Sequence, residues 1–105
     1  MDELMRNFVL ATVALMLAAP VSAAAALDCS RARSNAEKMV CSSSRLALAE
    51  ERMAYAFRDA IRHGADPSAL MQSQRRWTTE IRDACNEVEC MLKAYEDRTA
   101  ELENP

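Results

Sequence analysis

The segment QSQRRWTTEIRDACNEVEC, residues 72–90, holds the chain's only tryptophan and two of its four cysteines. Trp77 follows Leu70 by seven residues and precedes Ile81 by four. Residues at that spacing share one face of an α-helix, while the polar residues between them face water. The pattern therefore predicts that Trp77 is a core residue, rather than an aromatic platform on which a ligand stacks.

The cysteines of the chain predict disulfide bonds. There are four of them, an even number, and neither close pair has the C-x₂-C spacing of a structural zinc site. The single histidine, His63, stands beside the only glycine, a poor position for a metal ligand. Cys85 and Cys90 would point about 140° apart on an unbroken helix, at roughly 100° per residue, so a bond between them requires a turn. Local pairing, Cys29 with Cys41 and Cys85 with Cys90, is the expected connectivity, and the other two remain open.

The first 26 residues have the layout of an export signal. An apolar segment at 8–19 is too short to span a bilayer and is followed by small residues. Cleavage is predicted after Ala23, or as late as Ala26, and Met5 is an alternative start. No cysteine lies at the cleavage point, so lipidation is not expected. We therefore expect a signal peptide at 1–23 and a single periplasmic or secreted domain at 24–105, which meets the membrane only during export.

The charge of the chain excludes one class of partner. The net charge is −3, and removal of the leader with Asp2, Glu3 and Arg6 leaves about −2. A nucleic-acid-binding protein needs a basic surface, which this composition does not provide. A mildly acidic domain is compatible with a cationic protein partner.

The local signals after the leader are those of helices. The chain has one glycine, and SNAE at 34–37 is a capping box that begins a short helix ending near residue 41. Ser43 is suited to the N-cap of a second helix, which ends at Gly64. Pro67 then occupies the first turn of a third helix. The predicted fold class is all-α: a small, disulfide-stapled bundle or hairpin of three main helices with a short N-terminal helix.

Apolar residues recur at helical spacing in all three main helices. Phe57, Trp77 and Tyr95 are the expected core anchors, because they are the largest members of these stripes. The three stripes, in chain order, contain Leu46, Ala49, Met53, Phe57, Ala60 and Ile61; Leu70, Trp77, Ile81 and Ala84; and Val88, Met91, Leu92, Tyr95 and Leu102.

Four polar residues interrupt or border these stripes, namely Glu50, Gln74, Arg82 and Arg98. An ionised side chain that faces a core must be paired, so we expect a structural network in which Glu50 pairs with Arg98 or Arg82 and Gln74 is hydrogen-bonded nearby. The sequence contains no paired catalytic acids at fixed spacing, no nucleophile–base pair and no glycine-rich phosphate loop. We expect no catalytic residue, no metal ligand and no cofactor.

The segment LDCSRARSNAEKMVC, residues 27–41, resembles the opening of the lysozyme inhibitor LprI-like family of small secreted bacterial domains. The resemblance extends to residue 102. It departs from the family at Glu50, where aspartate is usual, at Phe57, where tyrosine is usual, and at Thr78, where an apolar residue is commoner. Glu50 and Phe57 nevertheless keep the acid and the aromatic residue at the family's spacing. The positions that match in spacing are Leu46, Glu50, Met53, Phe57, Gln74, Trp77, Arg82, Cys85, Cys90, Met91, Tyr95 and Arg98.

The resemblance implies a protein that acts by binding and is not an enzyme. The name of the family implies inhibition of lysozyme or a related muramidase, with a protein partner. The alternative is a structural or interaction module of the cell envelope without inhibitory activity. Two exposed turns, at 62–66 and 86–89, are the candidate contact regions, and the matched positions are expected to form the framework.

Overall fold

The computed structural model describes residues 27–105. The predicted leader, with its cleavage after residue 23 or 26, lies outside these residues. Within them the chain is all-α and contains no strand, which confirms the predicted fold class. No helix in this part of the chain is both long enough and apolar enough to cross a membrane. In order, the elements are a 3₁₀ turn at Cys29–Arg31, α1 at Asn35–Ser42, α2 at Ser44–Arg62, α3 at Pro67–Trp77, a π-helical turn at Thr78–Arg82 and α4 at Val88–Glu103.

Side-chain caps set the beginnings of the first two helices. The hydroxyl of Ser34 accepts the backbone N–H of Glu37 at 3.0 Å, and the Glu37 carboxylate accepts the Ser34 N–H at 3.3 Å. The hydrogen bond from the Ser34 N–H lowers the pKa of the Glu37 carboxyl, because it favours the ionised form. Ser43 caps α2 by accepting the N–H of Leu46 at 3.3 Å. The serines that the sequence singles out therefore satisfy N–H groups that have no partner inside a helix.

Gly64 ends α2 and allows the chain to reverse. Its φ of +104° lies in a region that residues with a Cβ rarely adopt. The N–H of Gly64 donates to the carbonyl of Ile61 and that of Ala65 to the carbonyl of Ala60, which is the Schellman arrangement. Asp66 then caps α3 by accepting the N–H of Ala69 at 2.9 Å. The connection between α2 and α3 is consequently short and closed by hydrogen bonds.

The two disulfides have the expected local connectivity. Cys29 is bonded to Cys41 with a Cα–Cα distance of 5.7 Å, and Cys85 to Cys90 with 5.6 Å. The backbone turns between the second pair, as that spacing requires. Disulfides form and persist in oxidising environments, so the fold belongs to an oxidising compartment.

Helices α2 and α4 lie side by side and run in the same direction. At their beginnings, an Arg45 Nη1 lies 2.8 Å from an oxygen of Glu89. Further along, Gln74 of α3 contacts both Met53 of α2 and Arg98 of α4. Helix α3 therefore runs antiparallel to the other two and lies against one side of the pair.

The core lies where these helices meet. Leu46, Met91 and Tyr95 are fully buried, and Trp77 is buried with its ring centroid 5.2 Å from that of Tyr95. The planes of the two rings are tilted by 59°, a favourable geometry for an aromatic pair. Phe57, the third expected anchor, is only partly buried and packs at the edge of the core.

The prediction that Ile81 and Ala84 continue the core stripe is wrong. Ile81 is 49% exposed and Ala84 is exposed, whereas Arg82 is buried. The reason is the π-helical turn, in which the N–H of Asp83 donates to the carbonyl of Thr78, five residues earlier. The wider turn carries one more residue than an α-helical one. The inward position after Trp77 therefore falls five residues later, on Arg82, instead of four residues later, on Ile81.

A buried arginine joins α3 to α4. Arg98 donates from Nε to Gln74 at 2.9 Å, from Nη2 to the Ser73 hydroxyl at 3.0 Å and from Nη1 to Glu101 at 3.1 Å. Of the two partners predicted for Glu50, Arg98 is wrong, because Gln74 and Ser73 of α3 and Glu101 of α4 engage it. The other, Arg82, is near enough for its charge to act on Glu50, although the two form no ion pair within residues 27–105. The network of four residues expected from the sequence is in fact two separate clusters.

We predict that Arg98→Ala lowers the free energy of unfolding by about 2–3 kcal/mol, because it leaves Gln74 and Ser73 without their charged donor. For a domain of this size that is a fall in Tm of roughly 10 °C or more. Thermal unfolding followed by circular dichroism measures the effect. Arg76→Ala is the matched control, since Arg76 is exposed on α3, and equal melting of the two variants would contradict the assigned role.

Candidate functional site

The second polar cluster surrounds the hydroxyl of Tyr95. Glu50 is buried on α2, and within residues 27–105 neither its Oε2 atom nor the Tyr95 hydroxyl has a hydrogen-bond partner. Burial raises the pKa of Glu50, while the nearby Tyr95 hydroxyl and the charge of Arg82 oppose the rise. The hydroxyl is thus close enough to favour the carboxylate electrostatically, although it forms no hydrogen bond of ordinary length. Burial, followed by the charge of Glu50, also raises the pKa of Tyr95.

Arg82 connects this interior cluster to the surface. Its side chain is almost fully buried beside Tyr95, and its Nε atom donates to an oxygen of Asp83 at 2.9 Å. The carbonyl of Arg82 accepts the N–H of Cys85 at 3.1 Å. Arg82 therefore fixes the beginning of the turn that follows the π-helical turn, and it acts as a part of the scaffold.

The turn between the π-helical turn and α4 is held at both ends. The bond between buried Cys85 and exposed Cys90 closes it, and Asp83 is fixed by Arg82 at its start. At its far end Glu89 pairs with Arg45 of α2 at 2.8 Å. A segment constrained in this way loses little conformational entropy when a partner binds it.

The turn carries an excess of negative charge. Glu87 is the N-cap residue of α4, yet its side chain makes no capping hydrogen bond. Glu80, on the π-helical turn, is exposed and forms no ion pair within the described residues. Asp83 and Glu89 are exposed as well, although each has an arginine partner. Two carboxylates, those of Glu80 and Glu87, are therefore available to a cationic partner.

An exposed isoleucine lies beside these carboxylates. The π-helical turn places Ile81 outward, where its side chain borders a shallow open depression of about 350 Å³ against α4. We refer to the exposed residues of this region as the turn surface. The turn surface comprises Glu80, Ile81, Asp83, Ala84, Asn86, Glu87, Glu89 and Cys90.

The turn surface coincides only partly with the regions expected from the sequence. The exposed 86–89 turn is part of it, but Ile81 was expected in the core. In the other expected contact region, at 62–66, Arg62 folds back along the surface of α2: it pairs with Asp59 at 2.9 Å and lies 5.5 Å from the centre of the Tyr55 ring, while its side chain stays exposed. His63 also contacts Asp59, at 3.5 Å. The charged side chains at 62 and 63 thus already contact Asp59, whereas the turn surface has two carboxylates, Glu80 and Glu87, that form no ion pair within the described residues.

Comparison with protein-family models, with curated proteins and with solved structures finds no match to this chain.

We predict that Glu50→Gln raises Tm by a few degrees at pH 7. Because burial raises the pKa of Glu50, the folded state holds the proton more tightly than the unfolded state. The stability from this group is present below its unfolded pKa and is lost as the pH rises through its folded pKa. The uncharged amide of glutamine avoids this loss of stability at neutral pH. Arg82 is not left without an ion-pair partner, because it still pairs with Asp83.

The measurement is Tm between pH 4 and pH 8 for the parent and the variant. The difference between them should grow as the pH rises and shrink in acid. Glu51→Gln, at an exposed position on the same helix, is the control and should follow the parent. A variant that melts below the parent at pH 7 would mean that the carboxylate is needed as an ion-pair partner.

Proposed function

We propose that this protein is an exported binding protein that inhibits lysozyme or a related muramidase, and that it is a member of the LprI-like family. Support comes from the resemblance over residues 27–102 and from the two disulfides, which suit a periplasmic or secreted protein. In this proposal the protein acts by occupying the enzyme's cleft and carries out no chemistry of its own.

The observation that carries the proposal is an exposed apolar side chain on a constrained acidic turn. Ile81 provides apolar area that a partner can bury, and the polar residues around it can exclude water from the contact. The carboxylates of Glu80 and Glu87 add attraction to a cationic surface, which accelerates association and orients the partner. A small inhibitor benefits from a contact region that is ordered before binding, as this one is through its disulfide.

The residues that match the family have a different role in this proposal. Trp77, Tyr95 and Arg98 are buried between helices, and Arg82 holds the turn from beneath. These buried side chains determine the position of the turn surface, but a partner cannot contact them. Specificity then depends on exposed residues such as Ile81 and Glu87, which lie outside the matched set.

The alternative is a module of the cell envelope that binds peptidoglycan or another envelope protein and inhibits nothing. It would use the same constrained turn. The two functions differ in one measurable respect, because only the inhibitor slows the lysis of cell walls by added lysozyme.

We predict that the purified protein slows lysozyme-driven clearing of a cell-wall suspension, and that Ile81→Asp raises the concentration needed for half inhibition by about tenfold or more. Met71→Asp is the matched control, since Met71 is 47% exposed on the preceding helix, against 49% for Ile81. Glu87→Lys should also weaken inhibition, most strongly at low salt, whereas Glu51→Lys on α2 should not.

Two results would count against this proposal. If Met71→Asp and Ile81→Asp reduce inhibition equally, the turn surface is not the contact region. If the parent does not slow clearing but sediments with purified peptidoglycan, the envelope module is the better description. Circular dichroism of each variant ensures that a lost activity is not a lost fold.

A further inference from the structure

A second surface of the molecule lies between the two parallel helices. We call it the α2–α4 groove; it is an open groove of about 390 Å³, and no residue of α1 or α3 lines it. Its floor and rim are formed by residues one helical turn apart on each helix. The principal ones are Arg45, Leu48, Arg52, Leu92, Glu96 and Glu103.

The groove exposes apolar area along its rim, and at its far end Arg62 partly covers the Tyr55 ring, with its guanidinium carbon 5.5 Å from the ring centre. Leu48, at its rim, is 47% exposed, and the groove continues along α2 to Tyr55, which is 58% exposed. Leu92 and Ala49 form the floor between the helices. An apolar strip with a charged rim is the usual composition of a protein contact surface.

In the central part of the groove the charges on the two walls have opposite signs. There the wall formed by α2 carries the cations Arg45 and Arg52, and the wall formed by α4 carries the anions Glu96 and Glu103, while Glu51 of α2 lines only the continuation toward Tyr55. Arg45 is paired with Glu89, but Arg52, Glu96 and Glu103 form no ion pair within residues 27–105. A partner that covers this groove must therefore present an anionic side to α2 and a cationic side to α4.

A second copy of this chain meets that requirement in only one orientation. A two-fold axis parallel to the helices places α2 of one copy over α4 of the other, so cations face anions. A two-fold axis across the helices places α2 over α2, so arginines face arginines and glutamates face glutamates. Like charges in contact oppose association, and only the first arrangement avoids them.

The heights of the residues along the helices agree with the first arrangement. Arg45 of α2 stands level with Glu89 of α4, as their ion pair shows. Seven residues further along each helix, Arg52 is level with Glu96. A parallel two-fold axis keeps these heights, so Arg52 of one copy faces Glu96 of the other and Leu48 faces Leu92.

We propose that this protein forms a homodimer through the α2–α4 groove, with its two-fold axis parallel to α2 and α4. The dimer is a bundle of four parallel helices at its centre, and the apolar area that it newly buries comes chiefly from Leu48 of each copy, which lies over the buried Leu92 on the groove floor of the other copy. Because the axis is parallel to the helices, both turn surfaces lie at the same end of the dimer. The proposal does not depend on lysozyme being the partner of the turn surface.

The test is sedimentation equilibrium of the purified chain across about 1 µM to 1 mM, a range chosen because the groove is smaller than a standard interface of about 800 Å² per partner. We expect a reversible monomer–dimer equilibrium.

Arg52→Glu and Glu96→Arg should each raise the dimer Kd by about tenfold or more, because each places like charges in contact. The variant with both changes should return to within about threefold of the parent, since the charges are then exchanged across the axis. Arg76→Glu, exposed on α3, is the control and should leave the Kd unchanged.

Three outcomes would overturn the proposal. A chain that stays monomeric at 1 mM would mean that the groove serves another protein or nothing. A single charge reversal that strengthens the dimer would indicate a different arrangement, in which the unchanged side chains repel each other. A dimer whose Kd is the same for Arg52→Glu, Glu96→Arg and the Arg76→Glu control would mean that it forms through another surface. Circular dichroism excludes unfolding as the cause of any change.

Discussion

The packing of Trp77 against Tyr95 is the contact on which the rest of this structure depends. Helix α3 ends at Trp77; its other links to the helix pair are the partly buried Leu70, which packs against the core, and the polar contacts of Gln74 with Met53 and Arg98. The ring contact is buried and therefore fixes where α3 ends in relation to α4. Every later feature of the chain, including the π-helical turn and the disulfide-closed turn, starts from that fixed point.

The π-helical turn connects the interior to the surface. By adding one residue to the turn after Trp77, it brings Arg82 inward beside Tyr95 and moves Ile81 outward. A cation in the core is costly unless it is paired, and here Asp83 at the surface supplies the pair. The same added residue thus has two effects: the buried Arg82 holds the start of the turn in place, and Ile81 becomes exposed beside it. Irregular helical turns of this kind are frequent at functional sites.

The molecule has two surfaces of different character. The turn surface is small, constrained and acidic, which suits recognition of a cationic protein. The α2–α4 groove is longer, and its walls have opposite charges, which suits a partner with the same charges in reverse order. A second copy of the chain has that property by symmetry. In the proposed dimer the two surfaces do not compete for the same residues. The turn surface lies at the N-terminal end of α4, whereas the groove runs along the side of that helix.

Local signals in the sequence predicted the all-α class, the ends of the first two helices and the start of the third. The capping residues Ser34 and Ser43 and the glycine at 64 act on their own neighbours, so local spacing is sufficient to place them. Each disulfide closes a short loop, so spacing favoured the observed pairing although it left two other connectivities open. Only the tertiary structure decided the exposure of Ile81 and the partners of Arg98. A helical periodicity of 3.6 residues assumes an unbroken α-helix, and nothing local to residues 78–82 signals the added residue. Which polar group meets Arg98 depends on how α3 crosses α4, a relation between distant segments that spacing along the chain does not contain.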